Sequence, residues 1–257
     1  MDLGISGRTA VVCASTSGLG EATARALAAE GARTVVGGRR GETARALAAE
    51  LPDAVGVEVD LTAPDGPATL VDAAVNAFGQ VDILVLNSGG PPPSQAAQVS
   101  DDDVVDAVTT LVLAQRRLVS LVLPGMRERG WGRVLAIGSS GVIAPIPGLA
   151  LSNIGRAALG GYLKTLATEV AADGVTVNML LPGRIETART EAVDRAVAER
   201  EGTDVADVAA RGQAAVPAGR YGRPDEFGAI AAFLCGASAS YVTGTATRCD
   251  GGAVPSL

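Results

Sequence analysis

Two stretches of this chain hold residue types in spacings that chemistry can use. The first is CASTSGLGEATARALA (13–28), where Gly18, Leu19 and Gly20 stand at the junction of a short β-branched run and an Ala-rich helical pattern. Glycines at a strand-to-helix turn let the backbone approach a pyrophosphate, and the helix N-terminus adds amide donors and a positive dipole end. A lone Gly-x-Gly is weak evidence, but this one lies in the first strand–turn–helix of the chain, the context a dinucleotide requires. The second stretch is LALSNIGRAALGGYLK (149–164), with Ser152 and Arg156 four residues apart in a helical pattern. An arginine stays charged at any working pH, so it can hold a hydroxyl or stabilise an oxyanion but does not readily donate a proton. The chain has no histidine, which excludes His-based triads and His metal sites. Its three cysteines, Cys13, Cys235 and Cys249, lack any metal-like spacing, so no metal is expected.

The elements that must position these residues follow a regular rhythm. Strand candidates at 9–14, 33–38, 54–60, 81–87, 133–139 and 175–181 alternate with helical patterns near 18–30, 41–51, 67–78, 101–128 and 152–172. Such alternation predicts βαβ units and an α/β fold, a doubly wound parallel sheet flanked by helices. Near-continuous apolar strands agree with burial on both faces. Ser100 followed by Asp101, Asp102 and Asp103 is a helix start, and Gly31 after Ala-Ala-Glu is a helix stop. The octapeptide TARALAAE occurs at 23–30 and again at 43–50, which fits two similar helices on one sheet better than a solenoid. No linker or composition shift divides the chain, so residues 1–257 are expected to form one domain. The segment 186–219 breaks the rhythm with a helical pattern, charged on one side and Ala/Val-rich on the other. Following a C-terminal strand end, it is expected to be a substrate lid; a peripheral hairpin that only packs is the alternative.

Bulk properties narrow the partners. The formal charge is −7, from 28 acidic and 21 basic residues, which argues against a non-specific nucleic-acid binder. Hydrophobic residues make up 47% but aromatics only 3%, so the core rests on Ala, Val and Leu. Lys164 is the single lysine. Sparse, odd-numbered cysteines suit a reducing compartment. The start MDLGISGR does not read as a secretory signal, and no apolar run is expected to approach membrane-spanning length. A cytoplasmic location is the expectation.

Several motifs together resemble the short-chain dehydrogenase/reductase family. Cys13-Ala14-x-x-x-Gly18-Leu19-Gly20 is similar to its TGxxxGxG fingerprint, with Ala14 at the first glycine. Asp60 in VDLT, Asn87-Ser88-Gly89, Pro182-Gly183 with Thr187, and the segment 219–252 follow in the family's order, so the resemblance covers essentially the whole chain. It implies a single-domain, Rossmann-like fold and a nicotinamide dinucleotide held by Ala14, Ser15, Ser17, Leu19, Asp60, Leu61, Asn87, Ser88, Gly89, Arg156, Pro182, Gly183, Ile185 and Thr187. Where NAD-dependent relatives place an acid, this chain has Gly38 followed by Arg39 and Arg40. A guanidinium pairs well with a 2′-phosphate, which points to NADP(H) with Arg39 first and Arg40 second; a merely solvated arginine pair is the alternative.

The family's usual Asn, Ser, Tyr and Lys tetrad maps onto Leu111, Ser139, Ser152 and Arg156, so one member of four survives. A free phenol has a pKa of about 10, whereas an aliphatic hydroxyl is a far weaker acid. Losing a positioned general acid costs on the order of 10²–10⁴ in rate. Tyr162 lies too far along the helix to substitute and is expected to pack. NSGGPPP (87–93), IPGLALSN (146–153) and LPGRIETAR (181–189) resemble an atypical branch labelled 3-oxoacyl-carrier-protein reductase-like. The resemblance implies an NADPH-dependent ketoreductase using Ser139, Ser152 and Arg156 on a small-molecule carbonyl substrate, assembled as a homotetramer. A nucleotide-binding sensor without turnover, or a non-redox enzyme on the same fold, are the other readings. Pro91–Pro93 either shape a pocket or hold a loop.

Overall fold

A computed structural model describes residues 2–256. Its strands are β1 (Thr9–Val12), β2 (Arg33–Gly38), β3 (Ala54–Glu58), β4 (Ile83–Leu86), β5 (Gly132–Ile137), β6 (Val175–Pro182) and β7 (Ala246–Cys249). They form one sheet, in the order β3-β2-β1-β4-β5-β6-β7, with every pair parallel. Helices α1 (Gly18–Ala29), α2 (Gly41–Ala49), α3 (Gly66–Phe78), α4 (Asp101–Val108), α5 (Ala114–Glu128), α6 (Ala150–Val170), α7 (Ala188–Glu201), α8 (Val205–Ala214) and α9 (Pro224–Cys235) connect them.

Strand periodicity decides which core each residue joins. Ala10 and Val12 of β1 face α1 and α9, with Leu27, Phe227 and Ala231. Val11 and the following Cys13 face the other way, towards Leu70 of α3, Leu118 of α5 and Leu159 of α6. The two TARALAAE segments do form α1 and α2. Ser100 caps α4 in a full capping box with Asp103, and Gly31 follows α1 with φ of +81°, as expected.

Three features depart from the sequence expectation. β7 and α9 were not among the expected elements; β7 is a four-residue edge strand, Ala-Thr-Arg-Cys, with no apolar run to reveal it. The expected helix 101–128 is continuous but widens into a π-helical stretch at Thr109–Leu113. By length and composition it is apolar enough to cross a membrane. Leu111, Leu118, Val122 and Met126 nevertheless face the protein core, and Arg116 and Arg117 interrupt the sequence. Leu111, at the π turn, is fully buried against Gly155 of α6, where any Cβ would overlap the Leu111 side chain.

Ala14 is the only non-glycine residue with positive φ among the described residues, at +45°. An L-residue in the left-handed region is strained by roughly 1–2 kcal/mol. Its carbonyl accepts Asn87 Nδ2 at 3.2 Å, and Gly20 packs so closely on it that a Cβ there would collide. The surroundings therefore impose the turn on Ala14. Ala14→Gly should relieve the strain and partly lose it again through a freer unfolded chain. The net expectation is a gain of about 0.5–1 kcal/mol. Urea unfolding checks it; a lower midpoint would mean that the Ala14 methyl packing outweighs the strain.

Candidate active site

Open parallel sheets bind ligands beyond the C-terminal strand ends where the strand order reverses. Here that point lies between β1 and β4, and the sequence-derived site residues follow the C-terminal ends of β1 to β6 or lie on α6. After β1 the backbone turns sharply into α1. Ser15 is buried and fixes the turn, its Oγ donating to the Val12 carbonyl at 2.7 Å and accepting the Gly37 amide at 3.1 Å. Ser17 begins α1 but does not cap it; its hydroxyl accepts Arg40 Nη2 at 2.8 Å. Arg40 also reaches the Thr16 carbonyl at 2.9 Å, so it lies across the glycine turn. Arg39 is exposed with no carboxylate bonded to it. The geometry thus puts the second arginine, not the first, against the turn.

Asp60 ends the β3 segment, its carboxylate accepting the Thr62 amide at 2.9 Å and hydroxyl at 2.7 Å. Those bonds, and secondarily the field of Arg39, hold it below the usual carboxylate range. Leu61 beside it is half-buried. After β4, Asn87 is clamped between Ala14 and Gln115, whose Nε2 donates to the Asn87 carbonyl at 3.4 Å. The buried Ser88 Oγ has no hydrogen-bond partner, and Gly89 faces open space. An orphaned buried hydroxyl beside a glycine turn and two cations without acid partners fits a phosphorylated ligand bearing hydroxyl groups.

Beyond β5, Ser139 is half-buried and its Oγ accepts the Gly141 amide at 3.1 Å. Arg156 comes up from α6 beneath it. Its Nη1 donates to the Ile137 carbonyl at 2.7 Å, and Nη2 reaches the Ser88 carbonyl at 3.5 Å. No carboxylate meets it, and burial pushes the guanidinium down to about 10. Ser152 lies one turn earlier on the same helix face, half-buried and making no side-chain hydrogen bond. Tyr162 is half-buried on the α6 core face, as expected.

A strap forms one wall of the mouth. Past Pro91–Pro93, Ser94 donates its amide to the Gly148 carbonyl at 2.8 Å and accepts the Leu151 amide on its hydroxyl at 3.1 Å. Asn153 adds two bonds to Ile146. The prolines thus lead into a clasp that holds the loop before α6.

The opposite wall follows β6. Gly183 donates to the Cys249 carbonyl at 2.9 Å and packs on Asp250, while Ile185 is buried beside Gly222. Pro182 closes the strand. Thr187 caps α7 through the Thr190 amide, and its methyl lies 3.7 Å from where a Gly18 Cβ would be. The segment expected to be helical is two helices, α7 and α8, with a cavity of about 430 Å³ between them and Tyr221. Its anchor is a network invisible in the sequence. Arg184 Nη1 donates to buried Asp194 at 2.8 Å, and the Tyr221 hydroxyl donates to the other Asp194 oxygen at 2.9 Å. Gly212 of α8 leaves room for the Tyr221 ring. Asp194→Ala should lower stability by about 2–4 kcal/mol, because two charge-assisted bonds end on one buried carboxylate. Hydrogen exchange in 188–214 should rise with it; unchanged exchange there would assign the loss elsewhere.

Sequence reasoning missed Thr16, Ser94, Gln115, Asp194 and Tyr221, each acting through a partner distant in sequence. Among the described residues no group of three metal-ligating side chains occurs.

Comparison with known proteins agrees with this architecture. Residues 13–254 match the family described as Enoyl-(Acyl carrier protein) reductase. "Dehydrogenase/reductase SDR family member 4" of Oryctolagus cuniculus is 33% identical over 254 residues, covering 97% of this chain and 94% of that protein. A "Putative ketoacyl reductase" of Streptomyces coelicolor is 35% identical over 251 residues, covering 95% of each. The structure of L-sorbose reductase from Gluconobacter frateurii, complexed with NADPH and L-sorbose, superposes with a TM-score of 0.93 at 33% identity, each chain fully covered. An actinorhodin polyketide ketoreductase with NADPH gives 0.90 at 33% identity, over 96% of this chain and 97% of that one. With its glycine turn, its strand order and its matches over nearly the full length, the chain belongs to the short-chain dehydrogenase/reductase family.

Proposed function

We propose that this chain is an NADPH-dependent carbonyl reductase whose acid catalysis differs from the family's usual form. The observation that carries the reading is Arg156: a buried guanidinium without a carboxylate, bonded only to the Ile137 and Ser88 carbonyls at the mouth of β4 and β5. NADPH, when bound, supplies the hydride. Arg40 and Arg39 would hold the 2′-phosphate, Ala14, Ser15, Ser17 and Leu19 the pyrophosphate turn, and Asp60 with Leu61 the adenine. Asn87, Ser88, Gly89, Pro182, Gly183, Ile185 and Thr187 would line the nicotinamide side.

Ser139 then donates a hydrogen bond to the substrate carbonyl, and Arg156 stabilises the oxygen as it gains charge. Ser152 is too weak an acid to serve as a phenol would, so it holds a water that delivers the proton, or the substrate supplies its own. Leu111 puts a buried apolar side chain where the resemblance places the asparagine that relays protons. The α7–α8 pair acts as the lid that excludes bulk water, which strengthens every charge interaction inside. A nucleotide-binding protein without turnover is the second reading, favoured by Ser152 having no hydrogen-bonded partner.

Titration with NADPH and NADH, followed by reduced-nicotinamide fluorescence and then by turnover of a ketone panel, tests both readings. Tight NADPH binding with oxidation by any ketone supports the reductase; tight binding without oxidation supports the sensor. Binding of neither cofactor overturns both. Arg39→Ala combined with Arg40→Ala is expected to weaken NADPH by about 10²-fold and NADH little, each lost charge-assisted bond being worth about 1.5–3 kcal/mol.

A further inference from the structure

The arginines of this acidic chain fall into two populations. On the outer surface most are neutralised, as in Arg127–Asp173, Arg211–Glu201 and Arg220–Glu226. At the cleft Arg184 is paired with Asp194, but Arg156 and Arg189 are not paired. Arg156 is buried with only carbonyl partners. Arg189, the second residue of α7, forms no ion pair, and its Nη2 lies 3.7 Å from where a Cβ of Gly90 would be. Arg156 approaches Ser88 and Arg189 approaches Gly90, and two residues span at most about 7.6 Å between Cα atoms. Two guanidinium groups thus frame one three-residue segment, Arg156 from the floor and Arg189 from the mouth.

The acids on α7 do not compensate. Glu191 pairs with Arg195, and Asp194 is consumed by Arg184 and Tyr221. Glu186 lines the outer groove along α1 and the α7–α8 cavity. The N-terminus of α7 adds the positive end of its dipole beside Arg189. A neutral ketone would offer neither guanidinium a counter-charge.

We infer that the substrate is an oxo acid, its carbonyl oxygen meeting Ser139 and Arg156 and its carboxylate meeting Arg189. This rests on the reductase reading for the carbonyl but on Arg189 for the anion. The hydride adds to the carbonyl carbon, the oxygen takes one proton from water, and NADP⁺ and a hydroxy acid result; the carboxylate is unchanged.

The test uses straight-chain oxo acids of graded length, each beside its neutral methyl ester. Calorimetry measures their binding to the full chain, alone and with NADP⁺, for wild type and Arg189→Gln; NADPH oxidation is then followed for the same compounds. At least one acid should bind about tenfold more tightly than its ester, as one charge-assisted contact provides. That preference should fall towards unity in Arg189→Gln and return in part with Arg189→Lys, with melting temperatures unchanged. No acid preferred in the wild type, or a preference that survives Arg189→Gln, overturns the inference. Esters reduced as well as acids would overturn it while leaving the reductase reading intact. An Arg189-dependent preference without NADPH oxidation would keep the anion site and remove the reductase.

Discussion

Arg156→Met is expected to cut kcat/KM by about 10²–10³-fold while leaving the fold as stable as before, or more so. On the proposed reading, the loss in rate follows from removing the charge that would meet the carbonyl oxygen. The stability follows from linkage. Burial lowers the guanidinium from its ordinary value to about 10, so the folded chain binds this proton less tightly than the unfolded chain does. Stability is therefore depressed at every pH below about 10 and would recover only as pH rises above it. The gap corresponds to about 3 kcal/mol, partly offset by the bond that Arg156 donates to Ile137. Thermal melts of both proteins at neutral pH, paired with NADPH oxidation rates, check the result. A clear drop in melting temperature would show that the hydrogen bonds outweigh the desolvation.

Ser152→Tyr combined with Arg156→Lys should raise kcat on a simple ketone lacking its own acidic group, by about 10²-fold or more. A positioned acid contributes on the order of 10²–10⁴, and a phenol tuned by a neighbouring ammonium is a far better acid than an aliphatic hydroxyl. Ser152 is half-buried without a hydrogen-bond partner, so replacing it breaks no existing bond, whereas Arg156→Lys gives up the guanidinium bonds to the Ile137 and Ser88 carbonyls. The variant should also acquire a pH–rate profile falling at high pH as the phenol ionises. An unchanged kcat would mean that proton delivery does not limit the wild type, and attention would shift to cofactor release.

The strand–helix alternation was legible because parallel strands buried on both faces are written as apolar runs, as in TAVV and ILVL. The same logic hid β7: an edge strand reading Ala-Thr-Arg-Cys needs no such run. The π turn at Thr109–Leu113 escaped because a wide turn shifts hydrogen bonds without changing composition. At the site, the glycine turn was visible as a local motif. The left-handed Ala14, Arg40 lying over Thr16 and Ser17, and Arg189 reaching Gly90 are all products of tertiary packing. Asp194 looked like one more charge on a helix until Arg184 and Tyr221 closed on it.

Mechanically, the two walls of the cleft mouth are anchored differently. Ser94 bolts the proline strap to Gly148 and Leu151, so that wall cannot swing without dragging the start of α6, and with it Ser152 and Arg156. The α7–α8 wall hangs from Arg184, Asp194 and Tyr221 and turns a corner at Gly202, with φ of +64°. Widening the entrance for bulkier compounds should therefore begin at the Gly202 corner, because trimming the strap would move the wall that holds Arg156.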